Sequence, residues 1–119
     1  MGKKSVRFRK VLVVDDNEVL LNTLTTLLQP VFSITTASNG ATALALYNAG
    51  HFDVVVTDYE MPEMNGLELC KLLSPTTPVF VQSASAIHQQ ALEAGAQQFF
   101  SSENMGALAT HLKDNYAVA

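Results

Sequence analysis

The sequence predicts an α/β domain, a doubly wound five-stranded parallel sheet of order 2-1-3-4-5 with helices on both faces. Two observations carry this. Five short apolar runs alternate with segments of helical period, the signature of repeated β–α units joined by crossovers. The first run, Val11–Val14, is apolar throughout, as a strand covered on both faces of a parallel sheet must be. A chain of 119 residues, 48% apolar, is long enough for one domain with its own core.

The elements follow in order. After Val11–Val14, Asp15-Asp16-Asn17 offers Asn17 as a helix N-cap. Leu20, Leu24, Leu27 and Leu28 mark one helical face until Pro30 stops it. Phe32–Ala37 reads as the second strand and Ala41–Ala49 as a small-residue helix closed by Gly50. Phe52–Thr57 is a third strand running into Asp58. Tyr59–Gly66 is a loop with Pro62 and the turn pair Asn65-Gly66. Leu67–Leu73 forms a short helix, Pro78–Gln82 a fourth strand, and Ser85–Ala94 a helix ended by Gly95. Gln97–Ser101 is the fifth strand. Met105, Leu108, Leu112 and Tyr116 form the stripe of a last helix. The domain is expected over residues 10–117, with 1–9 as a basic lead-in or linker.

Charge is distributed unevenly. Five of the seven basic residues (Lys3, Lys4, Arg7, Arg9 and Lys10) stand in the first ten positions; thereafter only Lys71 and Lys113 face all eleven acids. A body this acidic is a poor phosphate-backbone binder, so direct nucleic-acid recognition is not expected. Cys70 is the only cysteine, which excludes an internal disulfide and a cysteine-based zinc site. No apolar run approaches the length of a membrane span, and no signal-peptide pattern is present. A cytoplasmic domain without membrane contact is the expectation. His51, His88 and His111 lack ligand spacing and are expected at helix or loop surfaces. Cys70 is expected as a small buried hydrophobe, and Met61 and Met64 as packing residues.

In the predicted topology Asp15 and Asp16 end the first strand and Asp58 the third. These strands flank the switch point where doubly wound sheets bind ligands. A lone Asp at a strand end is ordinarily a cap or turn former; three converging there repel one another and resist ionisation without a cation. A hard divalent ion with oxygen ligands and open positions, Mg²⁺ by preference, satisfies that arrangement.

Val11-Leu12-Val13-Val14-Asp15-Asp16-Asn17, Val54-Val55-Val56-Thr57-Asp58 with Met61-Pro62 and Asn65-Gly66, and the Ser83-Ala84 pair together resemble the receiver domain of two-component response regulators. The resemblance covers residues 10–117 and implies a flavodoxin-like (βα)5 receiver fold. It implies that Asp58 accepts a phosphoryl group from a histidine kinase or histidine phosphotransfer partner. It further implies that Asp16 and Asp58 ligate Mg²⁺ (or Mn²⁺) directly, Asp15 through water, with the backbone carbonyl of Glu60 completing the set. Ser83 matches the hydroxyl that hydrogen-bonds a phosphoryl oxygen, and this role is preferred to the alternative that Ser83 or Ser85 simply caps the next helix. Phe99 matches the aromatic switch position and fits a core role as well. The face of the fourth helix, fifth strand and fifth helix is implied as the partner surface, a homodimer included.

One feature departs from the family. Receivers carry Lys-Pro just after the fifth strand, and here that pair falls at Ser102-Glu103. Serine supplies at most a neutral hydrogen bond, about half as strong as a charge-assisted one, and Glu103 adds an anion. No Lys or Arg occurs between Lys71 and Lys113, so a shifted alignment does not restore the cation. Phosphorylation is therefore expected to be slow or weakly coupled to switching, and the competing reading is a receiver-like interaction module working without phosphate. A flavin-binding or phosphatase reading lacks its phosphate cradle and its downstream lysine. The chain ends just after the last helix, which fits a stand-alone receiver or a piece of a larger protein such as a hybrid histidine kinase.

Overall fold

A computed structural model describes residues 8–29 and 31–117. Lys3, Lys4 and Arg7 of the basic lead-in, and Pro30, lie outside the described residues. The elements run β1 (Lys10–Val14), α1 (Glu18–Leu28), β2 (Ser33–Ala37), α2 (Gly40–Ala49), β3 (Val54–Asp58) and α3 (Gly66–Leu73). They continue with β4 (Val79–Ser83), α4 (His88–Glu93), β5 (Gln98–Ser101), a 3₁₀ turn (Ser102–Asn104) and α5 (Met105–Tyr116). All strand pairs are parallel and the order is β2-β1-β3-β4-β5, as the alternation predicts.

Two apolar cores sandwich the sheet, because successive strand side chains point to opposite faces. Leu12, Val14, Val55, Val79 and Val81 pack with Leu69, Leu73 and Ala91 beneath α2, α3 and α4. Val11, Val13, Val54, Val56 and Phe80 pack with Leu24, Leu28, Leu108 and Leu112 beneath α1 and α5. β1, β3 and β4 are buried along almost their whole length. Edge strands β2 and β5 are half exposed, where their polar residues stand. Among the described residues no helix is long and apolar enough to cross a membrane.

The local chemistry mostly follows expectation. Asn17 caps α1, its side chain accepting from the Val19 and Leu20 N–H groups at 2.9 and 3.3 Å. The buried stripe of α1 is Leu21, Leu24 and Leu28, rotated by one residue from the expected face, so Leu20 and Leu27 are half-buried. Asn65 is an N-cap and not a turn corner: it accepts from Leu67 and Glu68 N–H, and Glu68 returns a bond to the Asn65 N–H. This capping box starts α3 at Gly66. α4 begins at His88, not Ser85, because the Ser85 hydroxyl is drawn to Glu60 and no side chain caps the helix start. Gly95 takes φ +105°, ending the unit in the left-handed region open to glycine.

The remaining side chains are largely where composition puts them. Cys70 is fully buried, and burial pushes its thiol up to about 11. Met61 is buried, and Met64 packs against the same core. His51 and His88 are exposed. His111 departs from expectation: it is half-buried, its ring edging Phe80 at 5.4 Å and Phe100 at 5.8 Å.

Candidate functional site

The carboxyl ends of β1 and β3 assemble the site. Asp15 follows Val14, which is in register with Thr57, the residue before Asp58. Asp15 and Asp58 are therefore in neighbouring positions on one face, two residues beyond Val13 and Val56. With Asp16, each offers a carboxylate oxygen lying within 4.8 Å of the others. Asp15 is fully buried, Asp58 buried and Asp16 exposed. A shallow groove lined by Asp16, Tyr59, Glu60, Met61, Pro62 and Asn65 opens beside them.

Electrostatics are unfavourable for three bare anions. Burial, then the Asp15 carboxylate, push Asp58 up to about 7. Burial also raises Asp15, against the lowering effect of the Asn17 backbone N–H, which donates to Asp15 Oδ1 at 2.9 Å. The other oxygen, Asp15 Oδ2, is buried with no partner. Among the described residues the one acid–base contact of salt-bridge length is His51–Asp53, at 3.0 Å, so no lysine or arginine touches the cluster. Three gathered carboxylates, one with an orphaned buried oxygen, fit a hard cation with oxygen ligands.

Gly66 holds the acceptor in place. Its N–H donates to the Tyr59 carbonyl at 3.0 Å, and a Cβ there would run into the backbone carbonyl of Asp58. Gly66→Ala is expected to destabilise the domain by about 2 kcal/mol, typical of forced overpacking. The check is a thermal melt beside Gly106→Ala, where a Cβ meets nothing within 4 Å; equal melting temperatures for the two variants would contradict the close approach.

Ser83 ends β4 and is buried. Its hydroxyl donates to Glu60 Oε1 at 3.0 Å and accepts from the Ser85 N–H at 2.9 Å. The Ser85 hydroxyl donates to Glu60 Oε2. The Glu60 carboxylate thus spans both serines, a contact that sequence spacing does not disclose. Phe99 is half-buried against the α2–α4 core, 5.7 Å from the His88 ring. Ser102, half-buried, opens the 3₁₀ turn two residues beyond Phe100, and Glu103 is exposed. Sequence reading also passed over Gln82, a fully buried polar residue in β4; its signal is a lone amide in the otherwise apolar Val79–Gln82 run.

The response regulator receiver domain family matches residues 11–112 of this chain. The chain belongs to that family. Chemotaxis protein CheY of Pseudomonas aeruginosa is 34% identical over 92 residues, covering 71% of this chain and 74% of CheY. Two-component response regulator ARR10 of Arabidopsis thaliana is 41% identical over 80 residues, covering 63% of this chain but 14% of ARR10. The receiver domain of the Francisella response regulator 1452 superimposes with a TM-score of 0.81 at 29% identity, over 89% of this chain and 94% of that one. This receiver domain therefore belongs to two-component signalling and has the flavodoxin-like receiver fold. Its acidic cluster lies at the switch point of that fold.

Proposed function

We propose that this receiver is a phosphoacceptor, taking a phosphoryl group on Asp58 from a histidine kinase or a histidine phosphotransfer partner in the cytoplasm. The observation that carries the reading is the juxtaposition of Asp58, buried at the end of β3, with Asp15 and Asp16 within 4.8 Å. A Asp58 carboxylate oxygen attacks phosphorus, a P–O bond forms, and the donor's P–N bond breaks with its electron pair and a proton retained by the imidazole. Asp16 and Asp58, with the Glu60 carbonyl, would hold Mg²⁺ or Mn²⁺ directly and Asp15 through water. When bound, the ion neutralises the charge gathering on the transferred group. Ser83 then turns its hydroxyl from Glu60 to a phosphoryl oxygen, and Phe99 follows inward. The α4–β5–α5 face is the surface through which partners, a second copy included, sense the change. Residues 10–117 form the functional unit, either alone or within a larger protein.

The reading is tested by intact-mass measurement after incubation with acetyl phosphate, with and without Mg²⁺. A single phosphoryl adduct, dependent on Mg²⁺ and absent in Asp58→Asn, is expected. Folded protein without an adduct would favour the second reading, a phosphate-independent interaction module. Two observations speak for that alternative: serine at position 102, and the occupation of Ser83 and Ser85 by Glu60.

A further inference from the structure

Gln82 stands in register with Asp58 on one side and Phe100 on the other. It lies two residues beyond Phe80, so its side chain shares the face of Asp15 and Asp58. The residue is 1% exposed. Its amide nitrogen and oxygen are both buried without a hydrogen-bond partner, as is Asp15 Oδ2. A glutamine serving the fold alone would have its polar atoms satisfied by the fold. An apolar side chain of equal length would suit this row beside Phe80 at lower cost. Both ends of the amide are instead left uncommitted, beside the acceptor and on the face that leads through Phe100 to Ser102.

Resting on the phosphoacceptor reading, we propose that Gln82 is the donor that serves the acceptor site in place of the missing cation. Before transfer its NH₂ group stands uncommitted on the face of the Asp58 carboxylate. After transfer it donates to an oxygen of the phosphoryl group on Asp58. A carboxamide has two N–H donors in one plane, and here the fold engages neither. Being neutral, it stabilises accumulating negative charge less than an ammonium does. The site is accordingly competent but weaker than one holding a lysine.

The test compares wild type with Gln82→Met, which keeps length and loses the amide. Three quantities are read: melting temperature without added ions, Mg²⁺ affinity by calorimetry, and affinity for beryllofluoride, a phosphoryl mimic, at saturating Mg²⁺. The proposal expects a melting temperature equal to or above wild type, an Mg²⁺ affinity within about twofold, and beryllofluoride binding weakened about tenfold, the size of one hydrogen bond to a charged group. Gln82→Glu, which retains the oxygen but not the donor, should lose at least as much and must not rescue. Beryllofluoride affinity unchanged in Gln82→Met overturns the proposal. So does a parallel fall in Mg²⁺ affinity that accounts for the whole loss, because Gln82 would then act only on the ion's carboxylates. If wild type itself neither binds beryllofluoride nor gains a phosphoryl adduct, the phosphoacceptor reading fails first and the Gln82 role falls with it.

Discussion

Asp58→Asn is expected to raise the melting temperature of the ion-free protein at pH 8 while removing phosphoryl acceptance. Asp58 is 7% exposed, and burial and the Asp15 carboxylate push it from 3.8 up to about 7. Each unit of such displacement corresponds to about 1.4 kcal/mol between the protonation states. The full displacement would amount to about 4 kcal/mol, and an asparagine amide that must find its own partners recovers part of it. A gain of about 2 kcal/mol is the expected result, about 8 °C for a domain of this size. An unchanged melting temperature would show that Asp58 carries no such burden.

The pH dependence has a definite sign. Asp58 is raised in the folded state, so the folded protein binds its proton more tightly than the unfolded chain does. Without cations, this group's contribution favours folding most below about pH 4. Stability then declines as pH rises toward about 7, and levels off above it. Asp15 is raised too, which adds in the same direction. The slope between pH 4 and 7 should be shallower in Asp58→Asn. Added Mg²⁺ should stabilise wild type more at pH 8 than at pH 5, since ion and proton compete for the same carboxylates. Melting curves across that range, with and without Mg²⁺, measure both effects; a wild-type slope that the substitution leaves intact would assign the burden elsewhere.

What could be read beforehand, and what could not, divides along physical lines. Val11–Val14 and Val54–Val56 are continuous apolar runs because both faces of a central parallel strand are covered, so strand existence and order were legible. The convergence of Asp15, Asp16 and Asp58 followed from that order, since the acids end strands paired in the sheet. Helix starts were less legible. Asn17 met helical spacing directly, whereas the start of α4 depends on where the Ser85 hydroxyl goes, and that is set by Glu60 from another loop. The carboxylate contacts of Glu60 and the burial of Gln82 were hidden for one reason: they depend on the reach of a side chain across strands. Local periodicity carries no record of that. His111 sits inward of the surface its polarity suggests because α5 turns it onto Phe80 and Phe100, and an imidazole has an apolar face as well as two nitrogens.

Restoring the cation by Ser102→Lys is expected to strengthen the site more than any neutral change. Ser102 is half-buried and stands two residues beyond Phe100, at the carboxyl end of β5. A lysine stem can lie along apolar surface there while its ammonium reaches toward the carboxylates. Replacing a neutral hydrogen bond with a charge-assisted one roughly doubles its strength. An added 1.4 kcal/mol or so corresponds to about tenfold in rate or affinity. Phosphorylation by acetyl phosphate and beryllofluoride affinity should therefore both rise about tenfold. Glu103→Gln, by contrast, should change either by less than about twofold, because Glu103 is exposed and its charge is screened. The two substitutions also connect Ser102 with Gln82. If the amide stands in for the lysine, Gln82→Met should cost less in the Ser102→Lys background than in wild type, and a double-mutant cycle measures that difference. A lysine that leaves both readouts unchanged in a folded protein would mean that charge at this position does not limit the reaction.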